Sequence, residues 1–281
     1  MKSVIKRLIP RVFEGPIRSA YHATTDAVDL LMWRNLGMLL GKRDAFTPPK
    51  RLVGAIGGGS FEKIGHEFLG HFIGMAGLQP HERVLDVGCG SGRMAAPLTA
   101  YLTTGSYEGF DITPDTVRWC QRRITPRFPN FRFQLADVYS QGFNPQGRHA
   151  ASEYRFPFES QSFDFVFLTS VFTHMLPKDM ENYLSEVARV LKKGGRCLVT
   201  FFLLNDESVA SMGRSELTFQ FDHGGYRVND ALNPELAVAY PEALVRLLFA
   251  KYGLSIQSIR YGSWCMRSTY TSFQDIILAT A

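Results

Sequence analysis

"VLDVGCGSGR", residues 84–93, reads as a buried strand that stops on three glycines at alternate positions and then opens a helix. Glycine is required where backbone turns tightly and a ligand must approach with no Cβ in the way. Downstream of this loop, apolar runs and helical periods alternate. A helix through "RMAAPLTAYL" is followed by strand "SYEGFDI", helix "PDTVRWCQRRI", strand "FRFQLADV" and strand "FDFVFLTSV". Helix "PKDMENYLSEVARVLK", strand "GRCLVTFFL", helix "PEALVRLLFAKYG", and strands "LSIQSIRYG" and "SFQDIILATA" complete the chain. Strands of near-continuous apolar character between helices predict a parallel sheet covered on both faces. The last two strands are joined by a loop alone, which predicts an antiparallel final strand.

Upstream, "FEKIGHEFLGHFIGMAGL" reads as a helix leading into the first strand, and "TTDAVDLLMWRNLGMLLGK", 24–42, as another that ends near Gly41. "TPPKRLVGAIGGGS" breaks the pattern, so a helical extension over 1–56 is expected before a domain at 57–281. The charge is uneven. Residues 1–50 carry nine Lys/Arg against four acids, and the remainder carries 22 of each sign. The basic segment reads either as a solvated helical face or as a contact with an anionic membrane surface. No apolar run is long enough to span a bilayer, and Arg7 and Pro10 interrupt the start before a signal-peptide core forms. Cys89, Cys120, Cys197 and Cys265 are far apart, as expected of reduced thiols in a cytoplasmic protein.

Three acids mark the ends of successive strands: Asp86 before the glycines Gly88, Gly90 and Gly92, Asp111 in "YEGFDI", and Asp137 in "FQLADV". Acids at the carboxyl ends of neighbouring parallel strands face the crevice where such sheets bind ligands. The combination resembles the class I S-adenosylmethionine-dependent methyltransferases over residues 60–281. The resemblance implies a Rossmann-like seven-stranded, mostly parallel sheet with an antiparallel last strand and helices on both faces. It implies S-adenosylmethionine as cofactor, its aminoacyl part at the glycine loop, its ribose hydroxyls on Asp111 and its adenine amino group on Asp137. Val138 beside the ring, Ile112, Thr169 and a covering Phe61 are implied as further cofactor neighbours. The glycines of "LKKGGR", 191–196, read as a structural turn before the fifth strand.

Two other functions compete. Asp111 lies about twenty residues beyond the loop, as in a nicotinamide dehydrogenase. However, the spacing is Gly-x-Gly-x-Gly, and Asp86 would repel a pyrophosphate. A non-catalytic protein that merely holds S-adenosylmethionine is the other. For catalysis, His174 follows the fourth strand, where strand order reverses, and suits proton removal from an oxygen acceptor. O-methylation is therefore expected rather than attack by nitrogen or carbon. His66 and His71 are five residues apart, about 140° around a helix, and are not read as a metal pair; no metal is expected.

Three long segments leave the carboxyl ends of strands: 138–162, 204–240 and 261–272. Long connections in compact domains are often binding loops, so these should wall the acceptor site. Arg148, Tyr154, Arg155, Tyr226, Trp264 and Arg267 mix aromatic platforms with donors and suit a small molecule or glycoconjugate. Nucleic acid is not expected, because the catalytic portion has balanced charge.

Overall fold

The computed structural model describes residues 46–54 and 59–281, so the predicted helix at 24–42 and most of the basic segment lie outside the described residues. Strands β1 (Arg83–Val87), β2 (Ser106–Asp111), β3 (Phe131–Leu135), β4 (Phe163–Leu168) and β5 (Leu191–Phe201) are followed by the short β6 (Leu203–Leu204), β7 (Phe221–Asp222), β8 (Arg227–Val228) and β9 (Val238–Pro241). Two longer strands, β10 (Ser255–Arg260) and β11 (Asp275–Thr280), end the chain. The main sheet has seven strands in the order β10-β11-β5-β4-β1-β2-β3. Pairing is parallel from β5 to β3, and β11 runs antiparallel to both its neighbours. This is the predicted architecture, antiparallel last strand included.

The helices are α1 (Lys50–Gly54), α2 (Phe61–Gly74), α3 (Ala95–Tyr101), α4 (Pro114–Arg123), α5 (Pro177–Val190), α6 (Asp206–Ser211) and α7 (Glu242–Lys251). Helices α4 and α5 begin with proline, place an acid (Asp115, Asp179) in the first turn and arginine in the last, which suits the free N–H groups and the helix dipole. The sheet buries both faces by strand alternation. Leu85, Val87, Val166 and Leu168 join the main core with Met180, Tyr183 and Leu184 of α5 and Val245 and Phe249 of α7. From the opposite face Phe72 of α2 meets Phe165 and Phe167, with ring centroids 5.3 and 4.4 Å apart.

By its contacts the chain divides into two units, Met1–Glu62 and Lys63–Ala281. In the described part of the first, Thr47 Oγ1 donates to Glu62 Oε1 at 2.8 Å and Phe61 begins α2. In the second, "LKKGGR" is a bulge within β5: the pairing with β4 jumps from Phe163–Leu191 to Phe165–Arg196, and Gly194 takes φ 76°. The aperiodic stretch after Phe202 forms a second sheet, β6-β9-β8-β7. Its strands of two to four residues are too short to show a period.

Candidate active site

The glycine loop is built from the end of β1. Gly88, Gly90 and Gly92 have φ of 80°, 51° and 82°, where an L side chain is strained. A Cβ on Gly88 would lie 2.4 Å from Val171 Cγ2, so sterics and backbone both demand glycine there. The amides of Gly88 and Cys89 donate to the Phe110 carbonyl at 2.8 and 3.0 Å, tying the loop to β2. Asp111 completes the turn: its two oxygens accept from Gly90 N and Thr113 N, each at 2.8 Å. Burial raises its pKa against the pull of those two amides.

Asp86 is 1% exposed. Its Oδ2 accepts from the Tyr107 hydroxyl at 2.5 Å, and its Oδ1 has no hydrogen-bond partner. Burial pushes its carboxyl up to about 8, with Tyr107 opposing and Asp111 adding to the rise. Asp137, at the end of β3, accepts from the guanidinium and, at 3.1 Å, the amide of Arg148; that contact holds its pKa below the ordinary carboxylate value.

His174 ends a 3-10 turn, Phe172–His174, that follows β4. Its Nδ1 lies 2.8 Å from the carbonyl oxygen of Glu235. A carbonyl only accepts, so Nδ1 carries the proton and the neutral ring keeps Nε2 as its acceptor. Burial lowers the pKa of the ring, while backbone groups of Glu235 and Leu236 pull the other way. The Phe143 ring meets the imidazole edge-on at 5.3 Å, and Ser140 Oγ donates to Glu235 Oε2 at 2.5 Å. Thus segments 138–162 and 204–240 converge on His174. Phe143, Ser140, Glu235 and Leu236 were not foreseen. The signal available in the sequence was an aromatic residue in one long segment and a proline-opened turn, "NPEL", in the other.

The remaining expected residues fall into separate places. Val138 is buried beside Asp137, while Ile112 and Thr169 are partly buried after β2 and β4. Residues 151–158 dock on α5: Asn182 Nδ2 donates to Ala151 O and Tyr154 O, Phe156 N donates to Glu186, and Arg189 donates to the carbonyls of Phe156 and Phe158. Tyr154 packs within that aromatic group, 6.1 Å from Phe110, and Arg155 is exposed. Only the first half of the segment therefore reaches His174. Tyr226 stacks on His223 and lines an open cleft of about 380 Å³ with Leu204, Val209, Arg227 and Pro241. This cleft is lined by the small sheet and not by the glycine loop.

Trp264 and Arg267 differ most from expectation, since both are buried. Asp275, itself 0% exposed, accepts from Leu203 N, Gly262 N and Trp264 Nε1 at 2.7, 2.7 and 2.8 Å, and pairs with Arg267 Nη1 at 3.4 Å. Arg267 also donates to Asn205 Oδ1 at 3.1 Å, and its Nε lies 2.9 Å from Glu207 Oε2 without hydrogen-bond alignment. These side chains tie β11 to residues 203–207 and 262–267, and Trp264 and Arg267 are committed to Asp275 inside the protein. His66 is exposed and His71 half-buried near Glu67, and among the described residues no group of side chains is arranged to hold a metal ion.

The three strand-end carboxylates fit S-adenosylmethionine. The unpartnered Asp86 oxygen at the loop suits an ammonium, and the Asp111 carboxylate retains lone pairs for a diol. Asp137 is an acceptor at the next strand end, where an amino group would be met.

A family profile described as "Methyltransferase domain" matches residues 85–199. A phthiotriol/phenolphthiotriol dimycocerosates methyltransferase of Mycobacterium ulcerans is 34% identical over 119 residues, 42% of this chain and 37% of that protein. A fatty-acid O-methyltransferase of Mycolicibacterium smegmatis is 28% identical over 183 residues, 61% of this chain and 60% of that protein. The chain thus spans well under the full length of these relatives. Among solved structures, the PH0226 protein of Pyrococcus horikoshii has the same fold at a TM-score of 0.54 and 18% identity, covering 80% of this chain and 92% of that one. A putative methyltransferase of Haloferax volcanii, solved with its Trm112 activator, gives 0.52 and 18%, covering 76% and 88%. Glycine loop, strand-end acids and strand order agree with the family match, and residues 85–199 carry a methyltransferase domain of the class I S-adenosylmethionine-dependent kind.

Proposed function

We propose that this chain methylates an oxygen of a small-molecule acceptor, with His174 receiving the acceptor's proton. The observation that carries this reading is the 2.8 Å contact of His174 Nδ1 with the Glu235 carbonyl, which fixes the tautomer and leaves Nε2 basic. The cofactor site is assigned to Asp86, the loop Gly88–Gly92, Asp111 with Ile112, Asp137 with Val138, and Thr169 after β4. When bound there, S-adenosylmethionine supplies a methyl group on a sulfonium, given up as the carbon–sulfur bond breaks and its electron pair stays on sulfur. The chain itself contributes alignment and the base. Burial keeps the imidazole neutral near physiological pH, the state able to take a proton. One relative is itself named an O-methyltransferase, which supports oxygen as the target.

The narrower version, a saccharide-containing acceptor, drew on side chains now seen to be engaged elsewhere. Arg148 holds Asp137, and Trp264 and Arg267 hold Asp275. Nucleic acid as acceptor is opposed by the balanced charge of residues 51–281. A cytoplasmic location is our reading of four buried, free cysteines. Replacement of His174 by alanine tests the central assignment. S-adenosylhomocysteine should bind as before while turnover falls about 10²- to 10⁴-fold. Undiminished turnover would remove His174 as the base.

A further inference from the structure

What surrounds His174 also constrains the acceptor's body. Phe143 meets the ring in edge-on contact, and the backbone of Leu236 adjoins the imidazole. Both remain exposed, Phe143 by 38% and Leu236 by 50%. Tyr139 and Leu232, on the same two segments, are exposed as well. Large apolar side chains left in water on two converging loops cost hydration free energy that a ligand recovers by covering them.

The charge that acts on the His174 ring is negative, the Glu235 carboxylate. Glu235 bonds to Ser140, and Asp179 at the start of α5 has its pKa raised by burial and by Glu235. Neither acid is in an ion pair with lysine or arginine among the described residues, and the closest segment's Arg148 is engaged by Asp137. A carboxylate entering this region would meet like charge without a counter-ion, whereas a hydroxyl would not.

We propose that the acceptor is an aliphatic alcohol: a neutral hydroxyl on an extended apolar body that lies across Phe143 and Leu236 and presents its oxygen to His174. This rests on the reading of His174 as the base and narrows it. The site discriminates against fatty acids of the same length and against sugars. The first follows from the unpaired acids, the second from the exposed apolar surface of Phe143 and Leu236, which a sugar would not cover.

The test is calorimetry of the full chain, saturated with S-adenosylhomocysteine, against hexanol, octanol and decanol, the matching carboxylates, and methyl glucoside. Affinity should rise about fourfold per methylene along the alcohols, the factor set by burying one CH₂. Octanoate and methyl glucoside should bind at least tenfold more weakly than octanol. Phe143→Ser and Leu236→Ser should flatten the chain-length series while leaving S-adenosylhomocysteine affinity unchanged, a readout that also shows the variants are folded. A flat series in the unaltered protein, or octanoate binding as tightly as octanol, overturns the proposal. The two readings fail separately. Alcohols that bind with the predicted slope but are never methylated would sink the O-methyltransfer reading and keep this one. A sugar methylated in a His174-dependent way would do the reverse.

Discussion

The proposed place of Asp86 in the cofactor site links binding to pH. The carboxyl is enclosed, shares one oxygen with Tyr107 and has nothing on the other, so its pKa stands near 8 against an ordinary 3.8. A folded-state pKa raised above the unfolded value means that the folded protein retains a proton which the unfolded chain has already lost. Stability therefore falls as pH rises from about 4 to about 8, and levels off above that. Between about pH 6 and pH 8 the loss from this one group is about 2 kcal/mol. A cationic ammonium beside the free oxygen would favour the ionised form and expel the proton. At about pH 7, binding should release about 0.9 proton from this site, the protonated fraction at a pKa of about 8. The assay is calorimetric titration with S-adenosylhomocysteine in buffers of different ionisation enthalpy, run on the unaltered protein and on Asp86→Asn. Asparagine cannot titrate, so release should drop by nearly one proton, and the urea-derived stability of the variant should lose the 2 kcal/mol slope. Equal proton release in the two proteins, or parallel stability profiles, would refute the assignment of the raised carboxyl to Asp86.

Other outcomes follow from single contacts. His174→Gln should keep S-adenosylhomocysteine affinity and lose turnover, and in the unaltered enzyme the acidic limb of the pH–rate profile should fall below the ordinary histidine value, because burial lowers the pKa of the ring. A limb above that value would contradict it. Asp111→Ala removes the acceptor for Gly90 N and Thr113 N and should weaken cofactor binding by about 1 to 3 kcal/mol; unchanged affinity in calorimetry would remove its ribose role. Asp275→Ala strands three buried donors and the Arg267 guanidinium, so urea unfolding should report a loss of about 3 to 5 kcal/mol, and less than 1 kcal/mol would show the hub to be dispensable.

The main sheet was legible because its strands are long apolar runs and its turns are marked by glycine and proline. "VLDVGCGSGR" states both the strand and the loop, and the positive φ at Gly88, Gly90 and Gly92 is the conformation that its glycine spacing demands. The second sheet was not legible, since two-residue strands such as Phe221–Asp222 have no period to read. Trp264 and Arg267 looked like acceptor contacts because aromatic and basic loop residues suit that role. Their burial is set by Asp275, which gathers donors from Leu203, Gly262 and Trp264, and separations of 11 to 72 residues leave no local trace. The insertion after β3 divides for a similar reason. Its Phe156 to Phe158 half is fixed by Glu186 and Arg189 of α5, and only Ser140 to Phe143 is left to meet Glu235 and His174.

The most direct test of the whole account is a calorimetric titration of the purified chain with S-adenosylmethionine and, separately, with NAD. One saturable site for S-adenosylmethionine and no heat of binding for NAD are expected. Saturable binding of NAD with none of S-adenosylmethionine would contradict this expectation.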